Sequence, residues 1–129
     1  MNAVANPAPG FRRRPDHRID IEPAKGRVVV TFAGRRVADS RRALLMRESS
    51  YPPVHYIPEE DLDRSLMRPS ARTSHCPFKG DASYRTLEAD GRIAEDAVWS
   101  YPAPFDECAA IAGHAAFYAD KVDSIEVLP

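Results

Sequence analysis

Residues 27–40 read RVVVTFAGRRVADS and predict a β-hairpin. The three valines and the phenylalanine of residues 27–32 are typical of a buried strand. Ala33-Gly34 is a turn signal, after which residues 35–39 return as the second strand. The stretch therefore indicates antiparallel β structure.

The flanking sequence predicts more strands of the same kind. Short apolar stretches bounded by turn residues recur along the chain, and Asp90-Gly91 is a second hairpin signal. We expect eight or so short strands among nine candidate stretches, at residues 17–22, 27–32, 35–39, 43–48 (ambiguous by propensity), 54–57, 83–87, 92–101, 115–118 and 122–127. Two short helices are predicted at residues 58–67 and 104–112, and residues 70–80 are expected to form a polar loop.

Composition supports one small, mainly β domain. The chain has 129 residues with 12 prolines and 6 glycines, which suits a corner-rich β fold better than a helical bundle. It is 43% hydrophobic and 29% charged, as globular domains are. We expect a flexible tail at residues 1–16 and a single domain at residues 17–129. The absence of a signal peptide or membrane span predicts a cytoplasmic protein with reduced thiols.

The net charge of −1 hides an uneven distribution of charge. Residues 1–50 carry 11 basic and 5 acidic side chains, whereas residues 51–129 carry 7 and 14. A basic segment can bind phosphates, but no aromatic stacking residues are interleaved with these arginines, which disfavours nucleic-acid binding. An interaction module for a protein or nucleic-acid partner stays an alternative.

The densest group of reactive side chains is the loop at residues 73–80, which reads TSHCPFKG. A nearby lysine or histidine lowers the pKa of a cysteine and makes it nucleophilic. Cys76 is therefore a candidate catalytic thiol, with Lys79 or His114 as its activator, and Asp39 is a candidate acid or base. The structural alternative is that Cys76 is a small buried side chain and Lys79 a surface charge.

Aromatic residues form a second group. Strand alternation places Trp99 and Tyr101 on one face of their strand, and His114 and Tyr118 on one face of another. If the two strands are neighbours, these side chains line a concave wall that suits a flat or apolar ligand. The alternative is an ordinary aromatic core.

Metal and cofactor motifs are missing. Four side chains could bind zinc, but their spacing matches neither C-x2-4-C nor H-x3-5-H. These are His75, Cys76, Cys108 and His114. The sequence has no P-loop, dinucleotide-binding or metalloprotease motif. We expect neither a metal nor a cofactor.

Five stretches in this order resemble a known family. They are residues 37–40 (VADS), 56–58 (YIP), 76–84 (CPFKGDASY), 99–104 (WSYPAP) and 111–118 (IAGHAAFY). The sequence resembles the bacterial domain-of-unknown-function family four-two-seven, sometimes labelled nucleotidyltransferase-like. The resemblance covers residues 17–127 and implies a β-tent fold.

The resemblance also implies a functional site. The family's motif positions fall on Asp39, Cys76, Lys79, Gly80, Tyr84, Trp99, Tyr101, His114 and Tyr118. Phe78 stands where tyrosine is common in the family. Nucleotidyl transfer needs carboxylates that hold magnesium near a triphosphate, usually with a Gly-Ser signature, and the sequence shows no such arrangement.

Together these observations predict a domain that binds a small, anionic or aromatic ligand. The candidate ligand-binding residues are Lys79, Tyr84, Trp99, Tyr101, His114 and Tyr118. The first alternative is an enzyme that uses Cys76 as a nucleophile or redox thiol, with Lys79, His114 and Asp39 as candidate catalytic partners. The sequence leaves open which ligand binds, whether a reaction is catalysed, and the oligomeric state.

Overall fold

The chain is mostly strand in the computed structural model, which describes residues 4–129. The strands are β1 (Ile19–Pro23), β2 (Arg27–Phe32), β3 (Arg35–Ser40), β4 (Leu44–Glu48), β5 (Val54–Pro58), β6 (Met67–Cys76), β7 (Gly80–Ala89), β8 (Arg92–Ser100), β9 (His114–Phe117) and β10 (Ser124–Leu128). The helical segments are α1 (Gly10–Arg13) and 3₁₀ turns at Glu59–Asp61, Arg64–Leu66, Asp106–Ile111 and Ala119–Lys121.

The ten strands of residues 4–129 form two antiparallel sheets. One has seven strands in the order β1-β4-β5-β9-β8-β7-β6, and the other has three in the order β10-β2-β3. This arrangement confirms the predicted fold class, a small, mainly β, antiparallel domain with short helical segments. Within residues 4–129, no helix is both long enough and apolar enough to cross a membrane.

The hairpin predicted from residues 27–40 is the centre of the smaller sheet. β2 and β3 pair with Phe32 opposite Arg35. Ala33 and Gly34 both have positive φ angles, of 53° and 73°, as a two-residue hairpin turn of the primed type requires. The C-terminal strand β10 pairs with the other edge of β2, so β2 is the central strand and is hydrogen-bonded along both edges.

One apolar core joins the two sheets. Val28 and Val30 of β2 belong to the same buried cluster as Val98 of β8 and Phe117 of β9. Burial of each such side chain contributes about 1.5–3 kcal/mol. A second buried apolar cluster is formed by residues of the seven-stranded sheet, among them Tyr56 of β5 and Tyr84 of β7, together with Cys108 and Ile111 of the 3₁₀ segment.

The α-helix predicted at residues 58–67 is replaced by two 3₁₀ turns, Glu59–Asp61 and Arg64–Leu66. Between them Leu62 has extended backbone angles and forms a β-bridge with Ala38. Leu62 is buried in the core that joins the sheets. Tertiary pairing and burial therefore override the local helix signals.

Residues 70–80, predicted to be a loop, are mostly strand. β6 pairs with β7, with Thr73 opposite Ser83. β6 is an edge strand, and most of its side chains are exposed. An exposed edge strand does not need the apolar alternation by which strands are recognised.

The helix predicted at residues 104–112 is also shorter than expected. It consists of 3₁₀ turns at Asp106–Ile111, which are interrupted by the non-helical backbone angles of Cys108. Cys108 and Ile111 are fully buried. Burial of these two side chains therefore accompanies a backbone that departs from a regular helix.

The segment predicted to be a flexible tail makes specific contacts in its described part, residues 4–16. The Gly10 N–H donates to the Pro77 carbonyl at 3.0 Å. The Phe11 ring packs edge-on against Phe78, with centroids 5.0 Å apart. These contacts support the turn after β6 from outside the domain. The flexibility of the segment stays a prediction.

The turn before β2 offers a test of this fold. Gly26 has φ +81°, and a Cβ there would lie 2.1 Å from the Leu128 carbonyl oxygen. Gly34 has φ +73° and open space around it. We expect Gly34→Ala to lose about 1–2 kcal/mol from positive-φ strain alone. Gly26→Ala should lose about 3 kcal/mol or more, because a backbone clash adds to that strain. Urea unfolding of both variants measures the difference, and equal losses would contradict the close approach of the C-terminal strand.

Candidate functional site

A cavity of about 840 Å³, called here the outer cavity, lies between the two sheets. The three-stranded sheet contributes Val30, Ile125 and Val127 to its walls. The seven-stranded sheet and the residue that follows β9 contribute Val54, His55, Ile57, Trp99, Phe117 and Tyr118. Residues 76–79, which are the last residue of β6 and the turn that follows it, form a further part of the wall. The cavity therefore depends on how the two sheets pack against each other.

Two of the four side chains of the aromatic wall predicted from strand alternation, Trp99 and Tyr118, line this cavity. β8 and β9 are neighbours, with Trp99 opposite Ala116. The Trp99 and Tyr118 rings lie 4.4 Å apart at an angle of 42°. Trp99 Nε1 donates a hydrogen bond of 3.3 Å to the Tyr56 hydroxyl. The indole is thereby held on two sides, which makes a firm surface for a flat ligand.

A smaller cavity of about 190 Å³, called here the inner cavity, adjoins the first. The two share lining residues, among them Glu48, Lys79 and Trp99. The inner cavity adds Met46, Tyr56, Tyr84 and Tyr101. Because of the shared residues, the inner cavity is a polar extension of a mostly apolar one.

Three ionisable side chains form a chain of contacts at the boundary of the two cavities. The Lys79 ammonium lies 2.6 Å from Glu48 Oε1, and His17 Nε2 lies 2.8 Å from Glu48 Oε2. The side chains of Glu48 and Lys79 are each 14% exposed. The His17 ring also stacks on Phe78 at 3.8 Å. We call these residues the His17–Glu48–Lys79 trio.

Tyrosine hydroxyls supply the polar groups of the inner cavity. Burial raises the pKa values of Tyr56 and Tyr101 well above that of a free phenol, so both stay protonated. The Tyr84 hydroxyl lies 2.7 Å from Ser74 Oγ. Burial also raises the pKa of Tyr118, and a hydrogen bond with Tyr84 acts in the same direction. The hydroxyls of Tyr56, Tyr101 and Tyr118 can therefore donate hydrogen bonds at neutral pH.

The two cysteines lie in different environments. Cys76 is partly exposed and lines the outer cavity. Cys108 is fully buried, and its Sγ lies 3.7 Å from the Phe78 carbonyl oxygen. Burial raises the pKa of Cys108 to about 11, against which nearby Lys79 acts only in part. Of the two thiols, Cys76 is the one that a ligand in the cavity can reach.

Most of the predicted site residues lie together. Four of them line the outer cavity, namely Cys76, Lys79, Trp99 and Tyr118. Tyr84 and Tyr101 line the inner cavity. The strands β7 and β8, which pair through Tyr84 and Trp99, place these side chains side by side.

Asp39 and His114 lie apart from this group, and neither is among the residues that line the two cavities. Asp39 accepts two hydrogen bonds from the Arg27 guanidinium, at 2.6 and 2.5 Å. These bonds hold the pKa of Asp39 below its usual value. His114 Nδ1 lies 2.9 Å from the carbonyl oxygen of Ala112. Both side chains have local structural partners.

Comparison with known proteins identifies the family. Residues 20–128 match the family described as Domain of unknown function (DUF427), which carries the label NTP_transf_9. The chain belongs to this family. The resemblance noted in the sequence is thereby confirmed, and no curated protein matches the chain. The family's description states no activity, so the function of this DUF427 domain must be argued from its cavities.

Sequence reasoning missed two members of the trio in the DUF427 domain, His17 and Glu48. They meet because β1 pairs with β4, with Ile19 opposite Glu48. The strands β2 and β3 separate β1 from β4 along the chain, so no local sequence pattern predicts the contact between His17 and Glu48. The connection between β4 and β5 contributes Tyr51, Pro52 and Pro53 to the wall of the outer cavity.

The zinc-type side chains of the DUF427 domain are not gathered into a metal site. Among residues 4–129, no three His, Cys, Asp or Glu side chains lie close enough together to hold a metal ion. The carboxylate of the trio is instead engaged by two nitrogen atoms.

The basic N-terminal half, residues 1–50, is matched by carboxylates only in part, since five of its eleven basic side chains form ion pairs. Arg42 lies 3.2 Å from Asp61, and Arg36 lies 3.5 Å from Asp39. Most of these arginines are exposed, and each such pair contributes little to stability. The pairs nevertheless reduce the positive charge that this half presents to a partner.

His55 in the outer cavity allows a pH test. Burial lowers its pKa below 6.5, so the unfolded chain binds this proton more readily than the folded one. Stability should therefore fall as the pH falls through about 6.5. In His55→Gln this part of the pH dependence should disappear, as measured by urea unfolding at pH 7.5 and 5.5. The control is His75→Gln, whose ring is exposed. An unchanged pH dependence in His55→Gln would show that its burial has no energetic effect.

Proposed function

We propose that this DUF427 domain binds a small organic molecule between its two sheets. The observation that carries the proposal is the outer cavity, with a volume of about 840 Å³ and mostly apolar walls. Ligand sites of small molecules are typically about 300–1,000 Å³, apolar, and equipped with a few polar groups on one side. The outer cavity has that composition, since its charged groups are gathered at the trio.

The exposed apolar side chains around this region support the same function. Tyr51 is 64% exposed and Val127 is 51% exposed, and both line the outer cavity. Apolar surface that is left open next to a cavity marks a site for a ligand or a partner. A ligand body that lay against Trp99 and Tyr118 would cover this surface.

The chain's single tryptophan makes the proposal testable. We expect N-phenyl-1-naphthylamine, a neutral apolar fluorophore, to bind in the outer cavity and to receive excitation energy from Trp99. Trp99→Ala and Val127→Arg should each weaken binding about tenfold, or about 1.4 kcal/mol. The first removes the wall, and the second obstructs a half-exposed edge of the cavity. Direct fluorescence titration measures both.

The matched control is Ile93→Ala. Ile93 lies on the same strand as Trp99 and is 55% exposed, but it is not among the residues that line the outer cavity. Its loss should leave the affinity unchanged. Equal affinity in the wild type, Trp99→Ala and Val127→Arg, with folding intact by circular dichroism, would refute binding in the cavity.

A second candidate function, thiol chemistry, is favoured by the place of Cys76. Its side chain lines the same cavity as Lys79, which follows it by three residues in a turn closed by the Lys79 N–H and the Cys76 carbonyl. An ammonium group near a thiol favours the thiolate, which is the nucleophilic form. In this case the ligand would be a substrate that reacts at Cys76.

Alkylation by iodoacetamide across pH tests this second candidate. An activated Cys76 should be labelled with a midpoint below the free-thiol value of about 8.5. Cys108 is the internal control, because its burial and its pKa of about 11 should keep it unlabelled until the protein unfolds. Peptide mass spectrometry separates the two sites. A midpoint for Cys76 at or above 8.5 would exclude an activated nucleophile.

A further inference from the structure

The inner cavity presents an excess of hydrogen-bond donors. The Lys79 ammonium and the hydroxyls of Tyr56 and Tyr101 belong to its lining residues. The Tyr56 oxygen already accepts from Trp99, so its own proton is free to donate. A ligand group that fits this surface must accept hydrogen bonds, and an oxyanion does so most strongly.

Glu48 supplies the negative charge that these donors face in the free protein. Among the described residues that line the two cavities, it is the only carboxylate, and Lys79 is the only lysine or arginine. The two carboxylate oxygens of Glu48 have different partners, Lys79 on one and His17 on the other. Glu48 can therefore lose its contact with Lys79 and still keep a hydrogen-bonded nitrogen.

Charge balance explains why such a partner is needed. The side chains of Glu48 and Lys79 are each 14% exposed. A charge that is removed from water to this extent is costly without a counter-ion. An anion of a ligand on Lys79 would keep that ammonium paired, while the contact with His17 would keep Glu48 partnered; an uncharged ligand would leave the ion pair as it is.

We propose that Glu48 is a built-in counter-ion that a ligand's carboxylate or sulfonate replaces on Lys79, while His17 keeps Glu48 paired. This inference rests on the proposed function, and it names the ligand as an organic anion with an apolar body. The anionic head lies in the inner cavity beside Tyr56 and Tyr101. The apolar body lies in the outer cavity.

The dimensions of the two cavities agree with this division. The inner cavity, at about 190 Å³, has room for a group no larger than a single ring, since an apolar cavity of about 150 Å³ holds benzene. The outer cavity is more than four times larger. Lys79 and Trp99 line both, so one molecule can touch the charge with its head and the indole with its body.

Two fluorescent probes that differ by one charged group test the inference. 1-Anilinonaphthalene-8-sulfonate carries an anionic head, and N-phenyl-1-naphthylamine has the same aromatic body without it. Glu48→Gln removes the competing carboxylate and should strengthen binding of the sulfonate about threefold or more. Lys79→Met removes the cation and should weaken it about tenfold. Both variants should change the affinity for the neutral probe by less than about twofold.

Control variants separate charge in the cavity from charge in general and from misfolding. Lys25→Met removes the same charge at an exposed position outside both cavities and should have no effect. Tyr101→Phe removes one hydroxyl without a change in charge, and it should weaken binding of the sulfonate alone. Opposite effects of Glu48→Gln and Lys79→Met on one probe cannot arise from loss of folding.

The outcomes distinguish this inference from the proposed function. If the neutral probe binds through Trp99 but the Glu48 and Lys79 variants change both probes alike, the counter-ion role of Glu48 is refuted and the ligand site stands. If neither probe binds to the wild type, the proposed function and this inference both fail. Opposite shifts for the sulfonate, with the neutral probe unchanged, establish the exchange of anions on Lys79.

Discussion

The two sheets are held together by one apolar core, and the cavity begins where that core ends. Val30, Ile57 and Phe117 belong to both, because they are members of the buried cluster and also line the outer cavity. The same side chains therefore stabilise the fold and shape the site. Removal of water from such residues is the main favourable contribution to folding, so the burial that stabilises the domain also fixes the position of these three wall residues.

The charged groups of the cavity, the His17–Glu48–Lys79 trio, lie outside the apolar core that joins the two sheets. Glu48 at the end of β4, Lys79 in the turn after β6 and His17 before β1 come from three separate parts of the chain. A largely buried carboxylate is tolerated here because it has two nitrogen partners. The Phe78 ring, which stacks on His17 and is supported by Phe11, connects this arrangement to the N-terminal segment.

Sequence patterns succeeded where a strand buries at least one face and failed where it does not. The alternation around Trp99 and the hairpin of residues 27–40 gave correct strands, because one face of each must meet the core. β6 was expected to be a loop, since an edge strand with exposed side chains has no such requirement. The segment around Leu62 failed for the opposite reason, because a bridge to Ala38 outweighs its local helix signals.

The sequence by itself determined the antiparallel β class and the family, and it indicated four of the aromatic residues that line the two cavities, namely Tyr84, Trp99, Tyr101 and Tyr118. These follow from turn residues, alternation and ordered motifs, all of which are local along the chain. Only the tertiary structure decided that Lys79 meets Glu48 and His17, that Asp39 and His114 lie elsewhere, and that β10 covers one side of the cavity. The physical reason is that strand pairing between distant segments is selected by the burial of whole sheets, which no single stretch of sequence encodes.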